Sequence, residues 1–502
     1  MSTLRDSLFN EILLARKRVY SVAPPTPLEE IALPIDTTVL LKREDLSPIH
    51  AYKWRGAYNH MAQLSPEAYS KGVVCASAGN HAQGVALGAK LLGTHAVIFM
   101  PVSTPGMKQR AVHRHGGHHV EVRLVGDNFD VASEAAKEFA LESGRTLVHP
   151  YDDLMIMGGQ GTLADEIVMS GKGPFDVAYL QIGGGGMAAA VACWLKAYYP
   201  DIHLVGVEGV QQASMAAAIE AGGPVTLPYL DVFCDGTAVK RAGNLTYTLC
   251  AELIDEFITV TNEEVSAAIA LLWETARCIP EPAGAMGIAG IMKQAEALHN
   301  KKVLSILCGA NVDFERLAWI ANHAGIGAAR RRYYRFQMPE TPGGLRHLLD
   351  HIFEGVNIIE VQYGKVDKSL GWPIIGFEAS PDALVQMEQR LVEDHVPHED
   401  VTLREDVEFR IINYEPELFH NPCFLTLEFP ERAGALREFL GTIGDTANIC
   451  YFNYVYSGEQ VGRALIGFEF SDEDNRLKFK QTLAESRHDY NEVSLTVLER
   501  IL

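Results

Sequence analysis

Val73-Val74-Cys75-Ala76-Ser77-Ala78-Gly79-Asn80-His81-Ala82-Gln83-Gly84 is the stretch that decides the fold of the long N-terminal part of this chain. Its four leading apolar residues are too few for a helix and are bounded by small polar ones, so they predict a buried strand. The Ser-Ala-Gly-Asn turn that follows opens a helical pattern. Working outward, the same unit recurs: His95–Met100, Val177–Ile182, Leu204–Glu208 and Val303–Cys308 read as further buried strands, each followed by a polar or Gly-rich turn and a helical stretch. The alternation from about Val39 to Ile326 predicts open, mostly parallel α/β sheets with helices on both faces. In such sheets ligands bind at the carboxyl ends of the strands, so the turns just after them are where chemistry is expected.

The chain has 502 residues, more than one compact core accommodates, and about three domains is the natural expectation. A net charge of −21 argues against a nucleic-acid partner, whose phosphates would repel it. No stretch is long and apolar enough to span a bilayer, and Met1–Tyr20 has scattered charges rather than the apolar segment of a signal peptide. The eight cysteines (75, 193, 234, 250, 278, 308, 423 and 450) lie far apart, without the close pairs of metal sites. Reduced thiols in a cytoplasmic protein are expected.

After Gly327 the character changes. Pro339-Glu340-Thr341-Pro342-Gly343-Gly344-Leu345-Arg346 is echoed 91 residues later by Pro430-Glu431-Arg432-Ala433-Gly434-Ala435-Leu436-Arg437. The offset persists: Asn357-Ile358 matches Asn448-Ile449, Tyr363 matches Tyr454, and Ile375-Gly376-Phe377-Glu378 matches Ile466-Gly467-Phe468-Glu469. This is a duplicated unit. Each copy reads strand, turn, helix, strand, strand, helix, strand, the split βαβ order. The domains expected are therefore 1–328, then 329–420 and 421–502 for the two copies.

Four segments carry potential chemistry. Lys53 in His50-Ala51-Tyr52-Lys53-Trp54-Arg55-Gly56-Ala57 is either a surface lysine lying along a helix or a desolvated amine with a depressed pKa. The turn Ser77-Ala78-Gly79-Asn80-His81 opens a helix whose N–H groups favour a carboxylate or phosphate. Gly183-Gly184-Gly185-Gly186 follows a strand and precedes a helix. Four glycines in a row are too costly in chain entropy for a plain turn, and their N–H groups can converge on one phosphate. The run lacks both the G-x-G-x-x-G spacing and a following Gly-Lys-Ser/Thr, which disfavours nucleotides. Cys308-Gly309-Ala310-Asn311 ends the last strand, where one Cys is by default a small buried hydrophobe. His113, His115, His118 and His119 are read as a solvated loop around Gly116-Gly117 rather than a metal site, because no ligands keep fixed spacing nearby.

In their order and spacing these four segments, over roughly residues 20–325, resemble the threonine and serine dehydratases among the fold type II pyridoxal-phosphate enzymes. The duplicated tail resembles the ACT-like modules that bind small amino acids, which tilts the match towards the allosteric, biosynthetic threonine dehydratases. The resemblance implies pyridoxal 5'-phosphate as cofactor, with Lys53 attaching its aldehyde and later taking the substrate Cα proton. It further implies that Asn80 bonds the ring 3' oxygen and that Ser77–His81 (Ser77, Ala78, Gly79, Asn80, His81) hold the substrate carboxylate. Gly183, Gly184, Gly185 and Gly186 would hold the cofactor phosphate, and Cys308 would face the pyridine nitrogen. Asp235–Lys240 and Glu281–Ala285 resemble family elements that line the cleft. Two departures stand out: Ala51 replaces a common Ser, and Cys308 occurs at that place more often in serine dehydratases.

The implied reaction is β-elimination of L-threonine, or L-serine, to a 2-oxoacid and ammonia, the first step of isoleucine synthesis. Isoleucine is implied as inhibitor, with valine left open as an opposing effector, Tyr363 and Tyr454 as effector contacts or plain strand tyrosines, and a homotetramer as the assembly. The alternatives are a serine dehydratase or racemase, less readily a threonine synthase, and from another class a non-catalytic amino-acid sensor. Relatives of the serine type usually lack the duplicated tail, and an intact Lys53 argues against the sensor.

Overall fold

A computed structural model describes residues 3–430, 434–443, 446–455, 461–486 and 489–493, in two compact units, Met1–Gly327 and Ala328–Leu502. Glu431, Arg432 and Ala433 of the second repeat's turn lie outside the described residues.

The first unit carries two sheets. The larger has strand order β1-β2-β10-β7-β8-β9, with β1 Leu28–Ile31, β2 Thr38–Arg43, β7 Val177–Gln181, β8 His203–Gly209, β9 Glu256–Val260 and β10 Lys302–Leu307. All its pairings are parallel except β1 with β2. The smaller is fully parallel in the order β5-β4-β3-β6, from β3 Val73–Ala76, β4 Ala96–Met100, β5 Val120–Leu124 and β6 Thr146–Leu147. The central strands β3, β4 and β7 are buried at every position, as runs without polar alternation require when both faces are covered.

Helices α1 Thr3–Val19, α2 Trp54–Met61, α3 Asn80–Leu92, α4 Leu154–Met169, α5 Gly186–Tyr198 and α6 Pro282–Lys293 frame the site. α5 is buried from Gly186 to Leu195 and α6 from Pro282 to Ile291. Small residues let α6 sit directly on the large sheet: a Cβ on Gly287 would stand 2.3 Å from Ser305 Oγ in β10. The histidines expected in a loop instead end a helix, Gly106–Gly116, with His113 and His115 in its last turn. The helix runs that far because Val112 packs in the core of the small sheet, and Gly117 stops it with a left-handed φ of 57°. His118 and His119 follow in a short 3-10 turn.

The second unit is one eight-stranded antiparallel sheet in the order β16-β11-β15-β13-β18-β19-β17-β20. The first copy runs β11 Arg331–Phe336, α7 Gly344–His351, β13 Asn357–Gly364, β15 Ile374–Glu378, α8 Pro381–Glu393 and β16 His398–Asp400. The second runs β17 Cys423–Pro430, α9 Ala435–Ile443, β18 Asn448–Val455, β19 Val461–Glu469, α10 Glu473–Glu485 and β20 Asp489–Glu492. Both have the βαββαβ order, and they join edge to edge where β13 pairs with β18, Val361 opposite Tyr454 and Tyr363 opposite Phe452. Alternate strand residues and the four helices share one apolar layer containing Leu348, Met387, Phe439, Phe468 and Phe479. Among the described residues, only the first copy adds the small pairing of β12 Met338–Pro339 with β14 Leu370–Gly371.

Candidate active site

The site is assembled from turns at the carboxyl ends of strands of both sheets. After β2 the chain folds back on itself. Ser47 Oγ accepts from Ala51 N at 3.0 Å, and Ala51 bridges Gly309, with Tyr52 N donating to Cys308 O at 3.0 Å and Ala310 N to His50 O at 2.9 Å. This places Lys53, at the start of α2, beside the end of β10. Behind it Arg55, fully buried, is bonded to Glu44 (Nε–Oε2 2.9 Å) and to Glu166 (Nη2–Oε2 3.0 Å), which also meets Lys42. Four buried charges of balanced sign thus anchor the first turn of α2.

Lys53 Nζ lies 3.4 Å from Pro150 O and 5.3 Å from the Tyr52 ring centroid. Burial pulls its pKa down to about 8, with the charge of Glu281 opposing the shift. Cys308 is 3% exposed, and burial pushes its thiol far above the ordinary range, so it is neutral and Glu281 is the counter-charge that Lys53 meets.

In the turn after β3, Ser77 Oγ accepts from Gly79 N at 3.2 Å, and α3 begins at Asn80. Ser77, Ala78, Gly79 and Asn80 are half-buried, leaving the first N–H groups of α3 open to a small anion, while His81 is buried. His81 Nε2 meets Val148 O at 2.9 Å, and burial pulls the ring down to about 3, which keeps it neutral. Asn80 Nδ2 donates to Glu281 Oε1 at 2.8 Å, and Asn80 Oδ1 accepts from Asn311 Nδ2 at 2.7 Å.

Gly183–Gly186 links β7 to α5 as a close-walled cradle. A Cβ on Gly183 would stand 2.8 Å from Thr237 Cα, and one on Gly184 2.3 Å from the Tyr151 ring. Gly185 has a left-handed φ of 92°. Beside Gly186 the buried Gln160 side chain finds no hydrogen-bond partner for either Nε2 or Oε1 among the described residues. An orphaned amide next to a glycine cradle at a helix N-terminus suits a phosphate, and an amine such as Lys53 suits an aldehyde. The residues present therefore fit pyridoxal phosphate.

Motif reading missed the role of Glu281, a buried carboxyl pushed up to about 7 by burial, with Asp235 adding to the shift. An acidic residue before Pro282 looks like an ordinary helix start. Its partners, Asn80 and Cys308 (Sγ–Oε1 3.9 Å), are far off in sequence.

In the second unit a partly open cavity lies where the two copies meet, lined by Leu345, Ile443 and Phe452 and by the polar Glu340, Tyr363 and Asn448. Tyr363 OH donates to the Glu340 carboxylate, and Asn448 Nδ2 bridges Glu340 (2.8 Å) and Glu469 (2.9 Å). Tyr454, the 91-residue counterpart of Tyr363, is 2% exposed in the apolar layer and does not line this cavity.

Residues 20–309 match the family of pyridoxal-phosphate dependent enzymes, and residues 322–410 and 419–498 match the C-terminal regulatory domain of threonine dehydratase. The biosynthetic L-threonine dehydratase IlvA of Escherichia coli is 37% identical over 91% of this chain and 90% of its own. That of Burkholderia multivorans is 35% identical over 96% and 97%. The solved structure of the processed form of threonine deaminase isoform 2 from Solanum lycopersicum covers 64% of this chain and 94% of its own, at 38% identity and a TM-score of 0.61. A glycine cradle, a buried amine and a duplicated C-terminal unit thus coincide with matches along nearly the whole length, and the chain belongs to the pyridoxal-phosphate dependent enzymes and, among them, to the biosynthetic threonine dehydratases.

Proposed function

We propose that the chain catalyses β-elimination of L-threonine to 2-oxobutanoate and ammonia, the committed step towards isoleucine, under feedback control by isoleucine. The observation that carries this reading is Lys53: a buried amine, pulled down to about 8, at the junction of the strand ends. At pH 7 about one such amine in ten is neutral and able to take a proton. When bound, pyridoxal phosphate supplies the electron sink for the bond broken at Cα. Lys53 holds the cofactor and then serves as base at Cα, and Gly183–Gly186 with the Gln160 amide receive the phosphate. Ser77–His81 receive the substrate carboxylate, orienting Cα–H towards Lys53. Asn80 would hold the ring oxygen of the cofactor, and Cys308, a neutral thiol, would meet its ring nitrogen without supplying the charge that keeps it protonated, which would favour elimination over transamination. L-Serine enters the same site with one methyl fewer.

Residues 329–420 and 421–502 form the regulatory copies of this reading, and 1–328 the catalytic part. Isoleucine fits the cavity chemically: Glu340 offers a carboxylate to the ammonium group, and Leu345, Ile443 and Phe452 an apolar wall to the side chain. Tyr363 touches the effector, while Tyr454 acts through its cross-strand neighbour Val361, which lines the cavity. Valine, one methylene shorter, opposes isoleucine by occupying this wall less completely. A coupling of about 1–3 kcal/mol between effector and substrate sites suffices. The assembly is a homotetramer, and the compartment cytoplasmic.

The test is 2-oxoacid release by the purified protein from L-threonine and L-serine, with and without isoleucine, alongside the cofactor absorbance band near ~410–420 nm expected for a lysine-held pyridoxal phosphate. Faster turnover of threonine, suppressed by isoleucine, is the expected outcome. Lys53→Ala abolishes both turnover and the band. Preference for serine, or indifference to isoleucine, would overturn the assignment.

A further inference from the structure

Glu281 is 3% exposed, yet its side chain caps none of the amide groups of α6, the helix it precedes. Three separate segments instead converge on its carboxyl. A Cβ on Gly309 would stand 2.6 Å from Glu281 Oε1, and one on Gly236 would stand 3.2 Å from the same oxygen. The Cys308-Gly309 and Asp235-Gly236 turns therefore carry glycine where this carboxyl comes down on them. The third segment is the turn after β3, whose Asn80 Nδ2 donates to Oε1 at 2.8 Å and to Oε2 at 3.0 Å.

The hydrogen-bond chain sets which way the Asn80 amide points. The Ile49 carbonyl can only accept, so Asn311 presents Nδ2 to it at 2.8 Å. The same Nδ2 donates to Asn80 Oδ1 at 2.7 Å, which leaves Asn80 Nδ2 facing the carboxyl. Turning Asn80 over would set donor against donor at Asn311 and acceptor against acceptor at Glu281.

We propose that Glu281 is a positioning residue: its carboxylate holds the Asn80 amide, taking one hydrogen and presenting the other to the oxygen on the ring of the bound cofactor. The inference rests on the cofactor reading above. The groups facing Glu281 are Lys53 and Tyr52 from the start of α2, Cys308 after β10, Asn80 and Asn311, and Asp235. Asp235 is itself paired with Lys108 at 2.6 Å and Arg316 at 3.5 Å. Burial raises the carboxyl to about 7, Asp235 adds to this, and the Asn80 and Asn311 donors oppose it. A protonated Glu281 turns an O–H towards its neighbours and loses an acceptor for Asn80. The hold on Asn80 is thus strongest above this range, where both oxygens accept, and weakens as pH falls through it.

The experiment compares the holoenzyme with Glu281→Gln, Glu281→Asp and Asn80→Ala, reading the absorbance of the bound cofactor from pH 5.5 to 9 and the pH profiles of kcat and KM for L-threonine. In the wild type kcat falls on the acid side through two ranges, that of Lys53 near 8 and that of Glu281 near 7. In Glu281→Gln the step near 7 is absent while that of Lys53 stays, kcat is lower by roughly 10- to 100-fold, the loss of one hydrogen bond to a charged group, and the cofactor band shifts as in Asn80→Ala. Glu281→Asp keeps both steps, because a carboxylate is still there. The double variant Asn80→Ala with Glu281→Gln is no worse than the worse single one, since both act through the same amide. An acid limb and cofactor band unchanged in Glu281→Gln would overturn the proposal, as would additive losses in the double variant. Circular dichroism of each variant separates these outcomes from misfolding, and Glu281→Asp carries the test if Glu281→Gln does not fold. A wild-type protein with neither cofactor band nor 2-oxoacid release would instead sink the underlying reading.

Discussion

Replacing Glu166 by Gln removes one charge from the buried cluster behind Lys53 while conserving volume. Glu166 Oε1 accepts from Arg55 Nη1, and Oε2 accepts from Lys42 Nζ, from Arg55 Nη2 at 3.0 Å and from Thr26 N at 3.1 Å. Every neighbour is a donor, so a glutamine in either orientation turns its own N–H₂ against at least one of them. Charge balance fails as well, because Lys42 and Arg55 then share Glu44 alone, with these side chains at most 1% exposed. Breaking a buried pair in this way costs about 3–5 kcal/mol. Unfolding in urea followed by tryptophan fluorescence reads the first unit, which holds Trp54, Trp194, Trp273 and Trp319, four of the five tryptophans. The sign of the pH dependence is a second check. Burial already pulls the Lys42 pKa down, with Glu44 and then Glu166 opposing it, and losing Glu166 lowers it further. The penalty of a buried cation is full below the folded pKa and fades as pH rises towards the unfolded value. The deficit of Glu166→Gln therefore shrinks as pH rises towards the ordinary lysine range, and adding Lys42→Met recovers part of it. A deficit under about 1 kcal/mol, or one that grows with pH, would refute the account.

Gly183→Ala drives a Cβ to 2.8 Å from the Thr237 backbone, which cannot swing aside, so about 1–3 kcal/mol of overpacking falls on the cradle. Cofactor retained after dialysis, read by absorbance, drops accordingly, and full retention would count against this loop as the phosphate site. Cys308→Ser exchanges a neutral thiol for a neutral hydroxyl and leaves kcat within about tenfold of wild type, whereas Cys308→Asp sets a second carboxyl beside Glu281 and loses far more. Glu340→Gln raises the isoleucine concentration for half-inhibition by about tenfold or more, as expected for losing a charged hydrogen-bond acceptor. Burial raises the Glu340 pKa, with Tyr363 and Asn448 opposing, and ammonium recognition needs the ionised form. Inhibition of the wild type accordingly weakens as pH falls through that raised range, and a pH-independent response would remove Glu340 from the effector site.

Much of the chain was legible because its signals are local. The apolar runs of β3, β4, β7, β8 and β10 stand out because these strands are covered on both faces. The edge strand β5, Val-Glu-Val-Arg-Leu, is half exposed and reads as nothing in particular. β2 escaped for the opposite reason: it is buried, but it ends in Lys42 and Arg43, whose charges are matched by Glu166 and Asp45. The 91-residue repeat showed in letters and reappears in strand bounds, since β13 and β18 begin and end at that same offset. It did not show that equivalent tyrosines meet different surroundings, because the copies join through β13 and β18 and only one of the pair lines the cavity.

From sequence alone came the alternating α/β order, the duplicated tail and the individual segments around Lys53, Asn80, Gly183–Gly186 and Cys308, since periodicity, turn chemistry and motif spacing are properties of neighbouring residues. Only the tertiary structure decided that two sheets bring these segments together, that Arg55 and Lys42 are buried in a balanced cluster, and that Glu281 meets Asn80 and Cys308. Burial and charge pairing depend on groups that lie far apart along the chain. Desolvation, which pulls Lys53 down and pushes Glu281 up, arises only when the fold has closed over them.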